Sequence, residues 1–561
     1  MRHAPHPLIL IAAFLPWSVP SSSQAQWTAQ GLALSAAAND QQLPTIVSDG
    51  AGGAIVTWQD LRNGAKDIYA QKVNAAGIPQ WTSDGVALST AAGDQWEPKI
   101  ASDGAGGAIV AWYDNRGGAT ADIYAQRVDA AGIPQWTIDG VALSVAPDDQ
   151  VAPNIVSDGA GGAIVAWHDR RSGTNYDVYA QRVSAAGVPL WTPNGVVVSA
   201  AANNQTLPTI AADGAGGAIV SWEDLRSGAT DIYAQRMDAS GAALWTPNGV
   251  AVCAAPGGQI TPAIAPDGAG GAFVTWRDGR SGARGIYARW VSASGTPQWT
   301  PDGVALSTAG TFQLAPAIVS DAAGGAIVTW LDNRNVNYDI FARRVDAAGV
   351  AQWAANGAAV CTDASDQSFP TTIPDGAGGA IVSWSDSRSG TVSDIFCQRM
   401  SSSGLPQWTP NGIALTSAGD GITPTIASDG AQGAIITWYD YRSGLGSDIY
   451  AQHVNASGGL PTAVPEPTRK PSLLAGGIHP NPFSGTATLE LELTTPSAVR
   501  VEVFDVAGRT LRTLTLQDGV GPRRIQFDGR NDRGRLLPGG VYFYRVTAEG
   551  KAVTSKMVIA R

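Results

Sequence analysis

Apolar and polar positions follow a pattern that repeats every 54 or 55 residues along most of the chain. In one unit, an apolar run at 44–48 is followed by a glycine-rich turn and by 54–58, which is apolar on both faces of a strand. A third strand is expected at 67–73 and a fourth from Trp81 to Ser89. Short apolar runs between turn residues are typical of strands buried on both sides, and the repeat shows no helical period. Each unit is therefore predicted to form four β-strands.

Tryptophan marks the same period twice in each unit. Of the 19 Trp in the chain, only Trp17, Trp96 and Trp290 lie outside two regular series. The fourth-strand series is Trp27, Trp81, Trp136, Trp191, Trp245, Trp299, Trp353 and Trp408. The second-strand series is Trp58, Trp112, Trp167, Trp222, Trp276, Trp330, Trp384 and Trp438. Four-stranded repeats of about 40–50 residues are the signature of a β-propeller, so each unit is predicted to be one blade.

The two ends of the array predict how it closes. The repeat opens with a lone fourth strand at 27–35 and ends with a first, second and third strand at 424–454. The N-terminal strand is therefore expected to complete the last blade, which removes an exposed sheet edge. The prediction is an all-β chain with an eight-bladed β-propeller at 26–458. A β-solenoid built from the same units is the alternative.

Composition and charge exclude several classes of protein. A hydrophobic fraction of 44% is too high for a disordered chain. Three Cys in 561 residues are too few for a disulfide scaffold. The net charge of −11 argues against a nucleic-acid-binding protein, which needs a basic face.

Residues 1–25 are predicted to be a secretory signal peptide. Arg2 and His3 precede an apolar stretch at 8–17, and Ser23-Gln24-Ala25 offers a small-x-small cleavage site. The apolar stretch is too short to span a bilayer, which takes about 20 residues. We expect a bacterial protein that is secreted or attached to the outer surface, without a transmembrane segment.

Polar motifs also recur with the period, and these are predicted to build the blades. An Asp-x-Arg follows each second-strand Trp, as at Asp60 and Arg62, and another Asp opens most third strands. An Arg fork between carboxylates would tie neighbouring loops together. Calcium sites are the alternative, although one Arg per loop would repel a cation. A Gln-x-x-Pro before the first strand, as at Gln41 and Pro44, is expected to bond to backbone or to ring one mouth of a central channel.

A single binding or catalytic centre has to break the repeat. The segments between fourth and first strands and between second and third strands vary most, and we predict them to be loops on one face of the propeller. The residues that depart from the repeat there are Trp96, Glu97, Tyr113, His168, Glu223, Arg277 and Tyr439. An aromatic ring, a carboxylate and an imidazole on one rim would suit a sugar or peptide ligand. Ordinary surface variation is the alternative.

Enzyme motifs are missing from the sequence. The five His have no metal-ligand spacing, and there is no nucleophile elbow, phosphate-binding loop or dinucleotide fingerprint in a suitable context. We therefore predict no catalytic residue, no metal and no cofactor. Carboxylates from two blades could still pair for glycoside cleavage, so a polysaccharide hydrolase or lyase is an open alternative.

The composition changes after the repeat. A proline-rich linker is predicted at 459–474 and a second domain at 475–561. Segment 471–561 holds 12 Lys and Arg against 8 Asp and Glu, a net charge of +4. Alternating residues at 489–493 and 499–503 predict strands with one buried face, and 541–546 and 555–559 add two more. The prediction is an immunoglobulin-like β-sandwich.

Four motifs of this domain resemble a known family. They are His479-Pro480-Asn481-Pro482-Phe483, Val503-Phe504-Asp505-Val506-Ala507-Gly508-Arg509, Gly539-Gly540-Val541-Tyr542-Phe543-Tyr544 and Lys556-Met557-Val558. In this order they resemble the C-terminal sorting domains of type IX secretion cargo and the immunoglobulin-like domain of the flagellar hook-capping protein. The resemblance implies that Asn481, Pro482, Phe483, Gly508, Arg509, Gly540, Tyr542 and Lys556 form a sorting motif recognised by the secretion machinery.

The leading hypothesis is a monomeric, non-enzymatic propeller that binds an extracellular glycan or protein and is exported or anchored through its C-terminal domain. The hydrolase or lyase described above is one alternative. A purely structural surface protein is another.

Overall fold

The computed structural model describes residues 27–560 except 281, 283, 310, 311, 391, 418, 445, 461–473, 480, 482, 507, 549 and 550. The predicted signal peptide, Pro482 and most of the predicted linker lie outside the described residues. The chain divides into two compact units, Met1–Ala463 and Val464–Arg561. The described residues form no helix, so they include none that could cross a membrane.

The described part of the first unit is built from eight four-stranded antiparallel sheets. β1 (Leu32–Ser35) precedes seven sheets that are each made of consecutive strands. Sheets one to four consist of β2 (Gln41–Ser48), β3 (Ala54–Asp60), β4 (Asp67–Val73), β5 (Val86–Ser89); β6 (Gln95–Ser102), β7 (Ala108–Asp114), β8 (Asp122–Val128), β9 (Val141–Ser144); β10 (Gln150–Ser157), β11 (Ala163–Asp169), β12 (Asp177–Val183), β13 (Val196–Ser199); and β14 (Gln205–Ala212), β15 (Ala218–Asp224), β16 (Asp231–Met237), β17 (Val250–Cys253).

Sheets five to seven consist of β18 (Gln259–Pro266), β19 (Ala272–Asp278), β20 (Gly285–Val291), β21 (Val304–Ser307); β22 (Gln313–Ser320), β23 (Ala326–Asn335), β24 (Asn337–Val345), β25 (Ala358–Cys361); and β26 (Gln367–Pro374), β27 (Ala380–Asp386), β28 (Asp394–Met400), β29 (Ile413–Ala414). Sheet eight consists of β30 (Gly421–Ser428), β31 (Ala434–Asp440), β32 (Asp448–Val454) and, antiparallel to β32, β1. The all-β prediction is confirmed, and these repeated sheets are consistent with propeller blades.

The second strand of each sheet carries the core. Every residue of β3 is buried, because both faces of the strand pack inside the unit. The Trp58 indole N–H donates to Asp60 Oδ2 at 2.8 Å, and the Arg62 Nε donates to Asp60 Oδ1 at 2.8 Å. Arg62 also donates to the carbonyl of Asp84, in the turn before the fourth strand. The repeated Asp-x-Arg is therefore part of the scaffold, since both carboxylate oxygens already accept hydrogen bonds from the protein.

The geometry of the turn between the first and second strands explains why its sequence is rich in glycine. Asp49 Oδ1 accepts from the backbone N–H groups of Ala51 and Gly53, both at 2.8 Å. A Cβ on Gly53 would lie 2.3 Å from the carbonyl oxygen of Val73, so no other residue fits there without a shift of backbone.

The observed fourth strands are shorter than predicted, as β5 begins at Val86, and the Trp of the fourth-strand series lie in the segments before them. These Trp join one sheet to the next. The indole N–H of Trp81, in sheet one, donates to the carbonyl of Ala130, in sheet two, at 3.2 Å. Trp136 bonds in the same way to Ala185 of sheet three at 3.0 Å. Each Trp of this series therefore links two neighbouring sheets, whereas each second-strand Trp donates its hydrogen bond within its own sheet.

The second unit is a β-sheet structure around its own core. Its strands are β33 (Leu474–His479), β34 (Ala487–Phe504), β35 (Thr510–Phe527), β36 (Gly540–Ala548) and β37 (Lys551–Ile559). The order is β33-β34-β36-β37, with β35 paired to β34. Side chains buried in the core include Phe483, Phe527, Tyr544 and Met557.

Candidate functional site

The first strand of each sheet contains a bulge at the residue before its proline. Pairing with the second strand shifts register there, as between Trp96 and Lys99 of β6. The residues at this position all have φ between 47 and 53°: Leu43, Glu97, Ala152, Leu207, Thr261, Ala315, Phe369 and Thr423. Upstream, the buried Gln41 donates from Nε2 to the carbonyl of Asn39 at 2.9 Å. The predicted backbone role of the Gln-x-x-Pro glutamine is confirmed for this residue.

Bulges of three neighbouring first strands meet at one cavity of about 290 Å³. We call it the first-strand cavity. Its lining comes from β2, β6 and β30, and the residues are Leu43, Pro44, Thr45, Glu97, Pro98, Lys99, Thr423 and Thr425. Glu97 and Lys99 supply its only charged side chains, and the other seven first strands carry no charged residue. The cavity therefore breaks the symmetry of the repeat.

Hydrogen bonds between sheets close the wall of the first-strand cavity. The Thr45 hydroxyl donates to the carbonyl of Pro98, and the Thr425 hydroxyl donates to the carbonyl of Pro44, each at 3.2 Å. Burial lowers the pKa of Lys99 from its usual range, and the nearby carboxylate of Glu97 opposes that shift. The ion pairs of the described chain do not include a Glu97–Lys99 pair. Glu97 and Lys99 therefore both line the cavity without forming an ion pair with each other.

An aromatic stack lies beside Glu97. The rings of Trp96 and Tyr113 are parallel to within 1°, with centroids 6.2 Å apart. The Lys66 ammonium lies 3.0 Å from the centroid of the Trp96 ring. Burial, with a contribution from the Glu97 carboxylate, raises the pKa of Tyr113 to about 12. Because Tyr113 and Lys66 lie against Trp96, the indole is not an open platform, and the first-strand cavity is the more accessible part of this site.

His168 and Glu223 contact the bulge of the following sheet. The backbone N–H of Leu207 donates to His168 Nδ1 at 3.4 Å, and that of Thr261 donates to Glu223 Oε1 at 2.7 Å. Burial lowers the pKa of His168 to about 4. Burial also raises the pKa of Glu223, against the effect of the Thr261 N–H. Both side chains therefore link two sheets.

Arg277 and Tyr439 occupy the same position in sheets five and eight. Arg277 is 8% exposed, and its Nε and Nη2 have no hydrogen-bond partner. Tyr439 packs edge to face with Tyr441, with ring centroids 5.9 Å apart. No hydrogen bond, ion pair or ring contact of the described chain joins either residue to Trp96, so only Trp96, Glu97 and Tyr113 of the predicted site come together.

The prediction that these residues lie in loops is wrong. Trp96 and Glu97 lie in β6, and the other five lie in second strands. The physical reason is that the ladder continues beyond the second-strand Trp to an Asp, where Gln95 pairs with Asp114. Lys99 and Lys66 were missed by sequence reasoning, although a search for charges within the first strands would have found Lys99.

Acidic side chains recur at the start of the third strands. Burial raises the pKa of Asp122 to about 6, and the carboxylate of Asp114 adds to that shift. In sheet one, the equivalent Asp67 accepts a hydrogen bond from Asn63 at 2.8 Å, whereas sheet two has Gly117 at the Asn63 position. Among the described residues, no cluster of three or more His, Cys, Asp or Glu is suited to a metal ion.

Two of the predicted sorting residues hold the C-terminal strand. Asn481 Oδ1 accepts from the N–H of Val558 at 2.7 Å. Phe483 is buried, donates to the carbonyl of Val558 and accepts from the N–H of Ala560. The first and last of the four motifs therefore meet along the edge of β37.

Of the other described sorting residues, Gly508 and Arg509 lie at a turn, Gly540 starts a strand, Tyr542 is buried in the core and Lys556 is exposed. Gly508 has a φ of 80° in a turn closed by Asp505, and Arg509 forms an ion pair with Asp505. Gly540 opens β36, and the Tyr542 hydroxyl donates to the carbonyl of Pro538 at 2.9 Å. Lys556 is exposed and lies opposite Phe543 across the β36–β37 pair.

Comparison with known families gives a match for the second unit. The FlgD Ig-like domain family matches residues 479–552. This supports the predicted immunoglobulin-like class of that segment. No curated protein matches the chain.

Several solved structures are similar to the chain at low identity. A PL25 polysaccharide lyase, the ulvan lyase bound to -[GlcA(1-4)Rha3S]-, has a TM-score of 0.44 and 9% identity over 75% of this chain and 95% of its own. The α-L-arabinanase of Penicillium chrysogenum has a TM-score of 0.32 and 12% identity over 64% and 93%. PorZ, a surface component of the type IX secretion system of Porphyromonas gingivalis, has a TM-score of 0.22 and 9% identity over 91% and 79%. These likenesses are too distant to transfer a ligand, an activity or a partner to this chain.

Proposed function

We propose that this chain is a secreted or cell-surface protein whose eight-bladed propeller binds a glycan without cleaving it. Its C-terminal domain serves export or anchoring. The observation that carries the binding function is the first-strand cavity, because the only charged pair on the eight first strands faces it.

Closure of the propeller is supported by contacts of sheet eight with sheets one and seven. β1 completes sheet eight although it precedes sheet one in the sequence. The Thr425–Pro44 hydrogen bond joins the first strands of the same two sheets. Ser417, which follows the last strand of sheet seven, donates its backbone N–H to Gln30 Oε1 at 2.8 Å. Eight blades closed by the N-terminal strand account for all three contacts.

Glycan binding is supported by the chemistry that meets at this end of the first strands. A carboxylate, an ammonium and hydroxyl groups line a cavity next to a pair of aromatic rings. Binding sites commonly combine apolar walls with a few convergent polar groups, as Leu43 and Glu97 do here. A repeated scaffold has no structural need for a charged pair in one blade alone.

Export is supported by the second unit. The FlgD Ig-like match covers three of the four motifs on which the type IX resemblance rests. We propose that Asn481 and Phe483 stabilise the domain and that the exposed Lys556 is available to the secretion machinery.

Screening the mature chain, residues 26–561, against immobilised polysaccharides tests the binding function. Retention on at least one glycan, with no release of shorter products after long incubation, is expected. Release of products would favour the hydrolase or lyase. Absence of binding to every glycan, together with self-assembly of the protein, would favour a structural surface protein.

A further inference from the structure

The first-strand cavity offers both hydrogen-bond acceptors and hydrogen-bond donors. Thr45 and Thr425 each use their hydroxyl hydrogen on a proline carbonyl. Their oxygens therefore have only lone pairs left for a ligand. Glu97 adds a carboxylate, which in its ionised form also only accepts.

Lys99 is the charged donor of this cavity. It lies two residues after Glu97 on β6, and Pro98 separates the two at the bulge. Most Lys and Arg of the first unit are fixed in ion pairs with Asp, as Lys72 is with Asp49 at 3.4 Å. Lys99 has no such partner among the described ion pairs, so its ammonium can donate to a ligand.

This balance discriminates between classes of ligand. An anion attracted by Lys99 meets the Glu97 carboxylate and the lone pairs of Thr45 and Thr425. A cation attracted by Glu97 meets the Lys99 ammonium. A neutral polyhydroxyl compound satisfies all of these groups, because each hydroxyl can both donate and accept. Leu43, which is 36% exposed, offers an apolar contact for the C–H face of a sugar ring.

We propose that the first-strand cavity binds one neutral sugar unit, donating hydroxyl hydrogens to Glu97, Thr45 and Thr425 and accepting from Lys99. The inference rests on the proposed glycan-binding function and specifies its ligand. The cavity volume of about 290 Å³ lies at the lower end of small-molecule sites. A single sugar unit, rather than a longer stretch of chain, is therefore expected to occupy it.

A double substitution can remove the site while keeping the fold. Sheet four carries Leu207 and Thr209 at the positions of Glu97 and Lys99. The variant E97L/K99T thus gives β6 side chains that the same bulge already accommodates. F369L, at the equivalent bulge of sheet seven, is the matched control, because Phe369 does not line the cavity.

The experiment is calorimetric titration of the mature chain and both variants with three probe sets. The probes are neutral oligosaccharides of glucose, mannose, galactose and xylose, oligosaccharides of galacturonate and mannuronate, and the polyamine spermidine. Neutral sugars are expected to bind the wild type and F369L, with at least about tenfold weaker binding to E97L/K99T at an unchanged melting temperature.

Other results would overturn the inference. Tighter binding of uronates or spermidine than of any neutral sugar would assign the cavity to a charged ligand. Unchanged neutral-sugar binding by E97L/K99T would place the glycan site elsewhere and leave the proposed function standing. Failure of every saccharide to bind would reject the inference and the proposed function together.

Discussion

The indole N–H of Trp27 donates to the carbonyl oxygen of Ala75 at 3.0 Å, between the segment before β1 and the turn between β4 and β5. Trp27 is 1% exposed, and a Cβ on Gly77 would lie 2.7 Å from its backbone nitrogen. Since β1 belongs to sheet eight, this hydrogen bond links sheet eight to sheet one. The equivalent hydrogen bond of Trp81 links sheet one to sheet two.

Removal of residues 26–36 is expected to open the array at this point. The deletion leaves the outer edge of β32 unpaired and uncovers the apolar Ile449 and Ala451 beside it. An exposed strand edge promotes association between chains. We expect a lower melting temperature and concentration-dependent oligomers in light scattering.

Point variants of Trp27 separate packing from hydrogen bonding. W27A is expected to cost about 3–5 kcal/mol in the free energy of unfolding, as for other buried Trp. W27F keeps most of the apolar volume and is expected to cost less. A deletion variant that stays monomeric with an unchanged melting temperature would contradict closure by the N-terminal strand.

Replacement of Arg277 by Leu and of Arg280 by Leu is expected to change the free energy of unfolding in opposite directions. The Nε and Nη2 of Arg277 are buried without partners, and sheet six has Leu331 at this position. Unsatisfied buried donors cost about 1–3 kcal/mol each, so R277L is expected to stabilise the protein by an amount of that order. Arg280 donates from Nε to Asp278 Oδ1 at 2.8 Å. R280L leaves that buried carboxylate unpaired and is expected to destabilise by about 3–5 kcal/mol.

Urea unfolding of both variants beside the wild type measures the two effects. R280L serves as the control that the method detects loss of an Arg in the same sheet. A decrease in stability for R277L comparable to that for R280L would show that Arg277 has partners that stabilise it in solution.

The architecture could be predicted from the sequence because its signals are local and repeated. The second-strand Trp mark a position that is buried in every sheet, and the other Trp series marks a repeated hydrogen bond between neighbouring sheets. The lone strand before the first complete unit indicates the strand order of sheet eight. Trp290, outside both series, takes a scaffold role that spacing alone does not reveal. Its indole N–H donates to Asp267 at 2.8 Å. In sheet four the equivalent residue, Arg236, donates to the equivalent carboxylate, Asp213.

The candidate site was predicted only in part because its geometry depends on pairing between strands. Glu97 stands out in the sequence, but its left-handed φ of 50° follows from the bulge in β6. Lys99 went unnoticed since it follows the proline, inside what reads as an ordinary strand. The cavity joins β2, β6 and β30, which are far apart in the chain, and only the fold brings their threonines to Glu97.

His168 is expected to make stability depend on pH. Its pKa is lowered to about 4 in the folded protein, against an ordinary value of 6.5, so the unfolded chain binds the extra proton. The contribution of neutral His168 is therefore complete above pH 6.5 and is lost as pH falls toward 4. For a shift of this size the loss between pH 7 and pH 4.5 is about 2–3 kcal/mol.

H168Q tests this contribution, because sheet one has Gln59 at the equivalent position. The difference in unfolding free energy between wild type and H168Q is expected to change by about 2–3 kcal/mol between pH 7 and pH 4.5, in favour of H168Q at the lower pH. Between pH 7 and pH 8 the difference should stay constant. A constant difference down to pH 4.5 would mean that the buried imidazole titrates normally.

Variants of the C-terminal unit are expected to separate folding from export. N481A removes the acceptor of the Val558 N–H and should destabilise the unit by about 1–3 kcal/mol. K556A changes an exposed side chain and should leave stability within about 0.5 kcal/mol.

In a bacterium with the type IX pathway, deletion of 471–561 should trap the protein in the cell envelope. K556A should also lower the secreted fraction while its melting temperature stays unchanged. R533A, at an exposed arginine outside the sorting motif, is the matched charge control for K556A and should leave the secreted fraction unchanged. Secretion of the truncated chain at the wild-type level would reject the export role of the domain, because the truncated propeller then leaves the cell by itself.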